Sequence, residues 1–354
     1  MLSTDASILA PGKTRERIVS YGGIFESVVV IIFSKGVQKE EMIAPNVSVI
    51  SSGGSSKIAA LFRSVALMNR RVRKGTCDVL SAQDPFILGF FAILFGRLRG
   101  IPVQIQLHTD CFAKGYVSES PRRFIESFLA SFVLSMASCV RAVSKRAATG
   151  AMKATNVPLS VLPILVRANE KTGTTRPKEF PEGFTALTVS RLTHEKDIGV
   201  LIEAIALLPW ANLVIVGDGP MRKSLEEMRT KMNLVERVRF AGWQQDLTPY
   251  YEHANCYLQA SRYEGYGMSL VEAALSDVPL VSTDVGIVGD IFKSGEEILV
   301  AEGSPASFAE HLTRVKEEPE TKARAARAKA RARETVLTEQ EYLSQYQKAI
   351  ATCV

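Results

Sequence analysis

Short β-branched apolar runs recur along this chain, each separated from the next by a helix-forming stretch. Residues 28–33 (VVVIIF), 47–50 (VSVI), 78–82 (DVLSA), 103–107 (VQIQL) and 139–143 (CVRAV) are bounded by turn residues and read as buried strands. Residues 15–25, 57–73, 85–99 and 123–136 between them carry helical patterns. A parallel strand pair needs a crossover long enough to hold a helix, so this alternation predicts a doubly wound parallel sheet. Residues 161–163 end the series, and residues 167–183, rich in Lys, Thr, Glu, Pro and Gly, read as a linker. The pattern then restarts, with strands expected at 186–189, 213–216, 237–240, 256–258, 280–282 and 298–300. A length of 354 residues also suits about two domains. The expectation is therefore two α/β halves, residues 1–168 and 169–334, with the cleft between them as the natural ligand site.

Composition narrows the class. With 46% hydrophobic and 23% charged residues, the chain is neither disordered nor collagen-like. The net charge of +6 matters only where it is clustered. The five cysteines, Cys77, Cys111, Cys139, Cys256 and Cys353, are odd in number and form no C-x-x-C. They give no zinc spacing and no disulfide framework, which points to a reducing compartment. The N-terminus lacks the basic and apolar segments of a signal peptide. The longest apolar run, residues 86–95, is shorter than the roughly 20 residues that span a bilayer. The expected location is cytoplasmic, or peripheral on the inner face of the plasma membrane.

The most informative segment is Glu264-Gly265-Tyr266-Gly267-Met268-Ser269-Leu270-Val271-Glu272. Two carboxylates sit eight apart around a glycine loop, and a helical pattern begins at Met268. Glycine lets backbone approach a ligand closely, and a helix N-terminus offers N–H groups to a phosphate. Flanking carboxylates accept hydrogen bonds from hydroxyls. The set suits a polyhydroxylated, phosphorylated ligand; the alternative is a loop with two incidental surface glutamates.

This segment resembles the E-x7-E motif of the retaining glycosyltransferases of family 4, which have the GT-B fold. Four further segments agree in order. Ser190-Arg191-Leu192-Thr193-His194-Glu195-Lys196 is similar to the family's Arg-x4-Lys, and Ile215-Val216-Gly217-Asp218-Gly219-Pro220 to its strand-turn. Val238-Arg239-Phe240-Ala241-Gly242-Trp243 resembles the nucleobase loop, and Ser282-Thr283-Asp284-Val285-Gly286 a later strand end. The likeness is strong over residues 186–313 and is one of layout and a few positions before that.

The resemblance implies two facing Rossmann-like domains with parallel sheets and a C-terminal helix, residues 335–354, that crosses back to the first domain. It implies transfer of a hexosyl unit, with retention, from a nucleoside-diphosphate sugar to a glycan or lipid-linked acceptor, in cell-envelope polysaccharide or glycolipid synthesis. Arg191 and Lys196 would grip the diphosphate, where fixed cations stabilise the charge that builds on the leaving group. Glu264 would contact the transferred sugar and Glu272 the ribose. The N–H groups of Gly267, Met268 and Ser269 would face sugar and phosphate, and Gly217 belongs to the donor-binding strand-turn. Trp243 and Gln244 would line the base pocket, with a buried core Trp as the alternative for Trp243. His108, after the apolar strand 103–107, resembles the histidine that reaches the donor sugar.

There are departures. In place of the family's Gly-Gly loop, the N-terminal region offers Gly12, Lys13 and Arg17 as replacement phosphate contacts. The usual Pro-Asn-Gly-Val-Asp reads Pro163-Ile164-Leu165-Val166-Arg167. No Asp-x-Asp occurs, so catalysis without metal and without any cofactor is expected. No Gly-x-Gly-x-x-Gly follows a first strand, which leaves out the dinucleotide signature. A sugar-nucleotide epimerase of the same fold and a degenerate, non-catalytic nucleotide-sugar-binding protein are the competing readings.

Two basic stretches remain. Residues 57–74 (KIAALFRSVALMNRRVRK), from Lys57 to a terminal Lys74, hold six basic residues and no acid in a helical period. Such a helix can lie on an anionic membrane surface or simply cover the sheet with its charges solvated. Residues 322–333 (KARAARAKARAR) read as a solvated helix balanced by Glu317, Glu318 and Glu320. Without interleaved aromatics they give no reason to expect nucleic acid as a partner.

Overall fold

A computed structural model describes residues 1–166 and 173–354, so the first part of the expected linker lies outside the described residues. The chain divides into two compact units. Unit 1 comprises Met1–Pro163 and Leu337–Val354, and unit 2 comprises Ile164–Val336.

Unit 1 holds β1 (Leu2–Ser3), β2 (Val28–Ile32), β3 (Lys39–Ala44), β4 (Val47–Ser51), β5 (Leu80–Ala82), β6 (Val103–Leu107), β7 (Cys139–Ala142) and β8 (Leu159–Val161). They form one sheet in the order β3-β4-β2-β1-β5-β6-β7-β8. All pairings are parallel except that of β3 with β4. Leaving β3 aside, this is the doubly wound order whose direction of winding reverses between β1 and β5. Its helices are α1 (Lys13–Tyr21), α2 (Lys57–Arg71), α3 (Ile87–Arg99), α4 (Lys114–Val117), α5 (Pro121–Ser135) and α6 (Lys145–Met152). Ser56, Ser120 and Ser144 cap α2, α5 and α6 through their hydroxyls. In α2, Ser64, Leu67 and Met68 are buried, while Ile58 and Phe62 are exposed.

Unit 2 repeats the plan. Strands β9 (Phe184–Val189), β10 (Ala211–Val216), β11 (Val238–Gly242), β12 (Cys256–Gln259), β13 (Leu280–Thr283) and β14 (Leu299–Ala301) are all parallel, in the order β11-β10-β9-β12-β13-β14. Here the reversal falls between β9 and β12. The helices are α7 (Ile198–Ala206), α8 (Arg222–Lys231), α9 (Thr248–His253), α10 (Met268–Leu275), α11 (Pro305–Glu317) and α12 (Thr321–Thr335). Every residue of β10 is buried, as a parallel strand covered on both faces requires. Leu201, Ile205, Leu213, Leu258 and Phe308 lie in the core. The basic helix α12 is tied down by acids, Arg324 to Glu318 at 2.9 Å and Arg327 to Glu320 at 3.0 Å.

The last helix, α13 (Glu339–Ala351), belongs to unit 1. A capping box of Thr338 and Glu341 starts it. Tyr346 stacks on Tyr21 at 4.5 Å between ring centroids, and the Tyr21 and Tyr342 hydroxyls meet at 3.1 Å. The β6 glutamines reach it, Gln104 Nε2 donating to the Ala349 carbonyl and Gln106 Nε2 to the Tyr346 hydroxyl, each at 3.1 Å.

Cysteine spacing is corrected at one point. Cys139 of β7 and Cys353 form a disulfide, with 4.9 Å between their Cα atoms and a sequence separation of 214. A pairing at that separation leaves no local spacing to read, and it removes the cysteine argument for a reducing compartment. Among the described residues no helix is long and apolar enough to cross a membrane.

Candidate functional site

In a doubly wound sheet the strand ends beside the reversal diverge and leave a crevice. In unit 2 those ends are the loops after β9 and β12. The first carries Arg191 and, in a turn at His194–Lys196, Lys196. The second runs to Gly267. The Arg262 N–H donates to the Glu195 carbonyl at 2.8 Å and its guanidinium to Asp197 at 2.7 Å, joining the two loops. Lys196 and Glu264 form an ion pair across them, with side chains only 16% and 14% exposed. Glu264 also accepts from the Ser261 hydroxyl at 2.8 Å. Arg191 stands out in solvent, 78% exposed, with Glu195 3.5 Å away.

Gly217 has φ +130°, and a Cβ there would lie 1.9 Å from the Ser190 carbonyl oxygen. Its N–H donates to the Gly242 carbonyl at 2.8 Å. Gly217 is thus spent on holding the ends of β9, β10 and β11 together, and has no N–H left to offer. Gly267, at φ +105°, turns the chain into α10. Met268 and Ser269 open that helix, where N–H groups have no preceding turn to accept them and the dipole is positive. The Ser269 hydroxyl accepts from Tyr257 at 2.7 Å. On the same helix Glu272 accepts from the Tyr251 hydroxyl at 3.0 Å. Burial, and then the Glu272 carboxylate, push that phenol well above its ordinary value, so it stays a donor. Trp243 is 72% exposed, which excludes the core alternative. Gln244 folds back to the Ala241 carbonyl at 2.8 Å. The hydroxyls of Ser190 and Thr193 are buried without a protein partner, candidates the motif reading passed over.

In unit 1, His108 follows β6, one strand from the reversal. Its Nε2 lies 3.1 Å from Gln106 Oε1, which also accepts from Arg141 Nη1 at 2.8 Å. A guanidinium can only donate, so the oxygen of the amide must face it. His108 Nε2 facing the same oxygen carries the proton, and Nδ1 is left as an acceptor. Burial, then the charges of Arg141 and Arg17, push the imidazole down to about 3. Arg141 is itself buried over the rings of Tyr342 and Tyr346. Gln106 and Arg141 were missed in the sequence; their signal was polar residues at every second position of strands that are otherwise apolar.

Gly12 caps α1 and accepts from the Glu16 N–H at 3.0 Å, and Lys13 is the first residue of that helix. Arg17, one turn on, has a buried Nε without a protein partner. The structure therefore sets Arg17 within electrostatic reach of His108 in unit 1, and joins Lys196 with Glu264 in unit 2. A cavity of about 480 Å³ in unit 1 lies elsewhere, at the strand starts near Val28 and Cys77. Among the described residues no group of three or more His, Cys, Asp or Glu side chains could hold a metal ion.

The family described as "Glycosyl transferases group 1" matches residues 173–334, and "Glycosyl transferase 4-like domain" matches residues 26–163. The 2-deoxystreptamine N-acetyl-D-glucosaminyltransferase of Niallia circulans is 33% identical over 35% of this chain and 33% of its own length. The putative teichuronic acid biosynthesis glycosyltransferase TuaC of Bacillus subtilis is 29% identical over 67% of this chain and 57% of its own. Matches to the first curated relatives span 26% to 38% of their length. Among solved structures, Anabaena HepE in complex with UDP and glucose aligns over 99% of both chains at a TM-score of 0.76 and 19% identity. Two family matches, one over each unit, on two doubly wound sheets, place this chain among the glycosyltransferases of the GT-B fold, in the family 4 type.

Proposed function

We infer that the chain transfers a hexosyl unit from a nucleoside-diphosphate sugar to a glycan or lipid-linked acceptor, with retention at the anomeric carbon. The observation that carries this reading is the Lys196–Glu264 pair beside the N-terminus of α10, at the reversal of the second sheet. Arg191 and Lys196 hold the diphosphate, helped by the N–H groups of Met268 and Ser269. Glu264 accepts from sugar hydroxyls, Glu272 from the ribose, and Trp243 with Gln244 flanks the base. His108 contacts the transferred sugar as a neutral imidazole, and Arg17 adds positive charge beside it.

No covalent nucleophile is assigned. The acceptor oxygen bonds to the anomeric carbon on the face from which the leaving group departs. The bond from that carbon to the phosphate oxygen breaks, its electron pair leaves with the nucleoside diphosphate, and the acceptor proton passes to a phosphate oxygen. No metal or other cofactor takes part. The relative named for teichuronic acid synthesis favours a cell-envelope product, made on the cytoplasmic side of the membrane. The N-terminal loop, with Gly12 in place of a glycine pair, favours a second reading as a non-catalytic nucleotide-sugar-binding protein. Incubation with UDP-, GDP- and ADP-sugars decides between them. Release of nucleoside diphosphate with one donor supports transfer; tight binding without turnover, with acceptor present, supports the second.

A further inference from the structure

Helices α2, α3 and α5 are neighbours in one layer of unit 1, α3 touching both of the others. On α5, Phe124, Phe128 and Phe132 repeat every fourth residue and all are exposed; Phe128 is 75% exposed. On α3, Phe90, Leu94 and Leu98 repeat at the same interval, with Leu98 72% exposed, and Phe62 of α2 is exposed as well. More than half of the exposed large apolar side chains among the described residues lie on these three helices. The inward faces are already satisfied. A Cβ on Gly89 of α3 would lie 2.8 Å from Val133 of α5, so these helices pack tightly through their other sides. The outward stripes are thus a surplus beyond what the core uses, and exposed large apolar side chains gathered on neighbouring helices mark an interaction site.

Charge selects the occupant. Helices α2 and α3 carry Lys57, Arg63, Arg70, Arg71, Arg97 and Arg99 and no acid. The acid of α5, Glu126, is neutralised by Arg122 at 2.8 Å and Arg123 at 2.9 Å. Arg71 is paired with Glu40 at 2.8 Å, which leaves Lys57, Arg63, Arg70, Arg97 and Arg99 as the surplus positive charge of these two helices. Aromatic stripes flanked by this surplus match the two layers of an anionic membrane, acyl chains for the rings and phosphates for the cationic groups. A second copy of this chain would bring the same positive charge and repel.

We propose that the outward face of α3 and α5, flanked by the arginines of α2 and α3, docks unit 1 on an anionic lipid bilayer with Phe124, Phe128 and Phe132 entering the acyl boundary. The proposal rests on the reading that the chain works beside a membrane, and it moves the contact from the basic helix alone to a three-helix face in which α2 supplies charge and α5 supplies insertion.

The test uses the full chain with vesicles of phosphatidylcholine alone or mixed with phosphatidylglycerol. A Phe128→Trp variant should show emission shifted to shorter wavelength, and quenching by spin-labelled acyl chains, with the anionic vesicles. Phe124→Ser/Phe128→Ser/Phe132→Ser should lower vesicle partition at least about a hundredfold, a lower bound for removing three large apolar side chains that are only partly inserted. Arg63→Glu/Arg97→Glu should lower it at least tenfold at low salt, which keeps the test open if the serine variant does not fold. Emission from the Phe128→Trp variant that stays unquenched, partition unchanged in both other variants, or no binding to anionic vesicles would overturn the proposal. So would a concentration-dependent dimer abolished by the serine substitutions. Nucleoside-diphosphate binding, measured without vesicles, should be the same in these variants and the parent chain. Its absence from the parent, with vesicle binding intact, would sink the donor reading and leave this one standing.

Discussion

Lys196 and Glu264, 68 residues apart, are ion-paired across the two loops that flank the reversal of the second sheet. The cation assigned to the diphosphate is thus held by the carboxylate assigned to the sugar. Each orients the other, so a donor meets the two side chains already in place.

From this pair the two basic residues should fail differently. Arg191→Ala and Lys196→Ala should each lower turnover by about two to three powers of ten, the scale for losing one preorganised charge contact. Arg191, out in solvent, should leave the melting temperature unchanged. Lys196→Ala strands Glu264 and should also lower it by roughly 3–6 °C, a loss that Glu264→Gln in the same chain restores. Steady-state rates with thermal melts check both.

The neutral state of His108 has a pH signature. Its folded value of about 3 lies below the roughly 6.5 of an unfolded histidine. The unfolded chain therefore takes up a proton that the folded chain refuses, and stability is lost as pH falls from about 6.5 toward 3. His108→Gln should flatten the melting-temperature profile over that window relative to the parent. Asp84, pushed up to about 6 by burial, works in the opposite sense, but equally in both chains, and drops out of the comparison. No limb of the rate profile between pH 5 and 8 should vanish with His108.

Chelation tests the proposal that fixed cations replace a metal. Exhaustive EDTA should leave the transfer rate within about twofold of its starting value, since removing a working Lewis acid costs several kcal/mol. A rate abolished by EDTA and restored by magnesium or manganese would be decisive against the assignment of Arg191 and Lys196.

Two glycines separate space from flexibility. Gly217→Ala has no room beside the Ser190 carbonyl and a φ hostile to L residues, so it should cost about 3 kcal/mol or more in urea unfolding. Gly199→Ala, inside α7 with its nearest neighbour the flexible Met228 thioether at 3.5 Å, should be neutral or stabilising by up to about 1 kcal/mol.

The parts of this molecule that were legible in sequence are those written locally. Apolar runs located β2, β4, β5, β6, β7 and all six strands of unit 2, because parallel strands covered by helices are predominantly apolar. Strand β1 was invisible at two residues, and β3 because Lys39, Glu40 and Glu41 give it the charged character of an edge. The E-x7-E segment announced itself because a turn, a helix start and two acids lie within nine residues. Gln106, Arg141 and the Cys139–Cys353 bond did not, since each draws its meaning from α13 and the residues just after it, some 200 residues or more away.

That distance has a consequence for biosynthesis. Unit 2 is one unbroken stretch, whereas unit 1 is closed by residues 337–354. At about 5–20 residues per second, the ribosome finishes unit 2 while Tyr342 and Tyr346 are still to emerge. The nascent sheet of unit 1 must wait with the α13 side of β6 and β7 bare. The side chains left uncovered there include Gln104, Gln106 and Arg141, which water solvates well, and the Cys139 thiol, which still awaits Cys353. The seam that is sealed last is the one a half-made protein can most safely leave open to water and to chaperones.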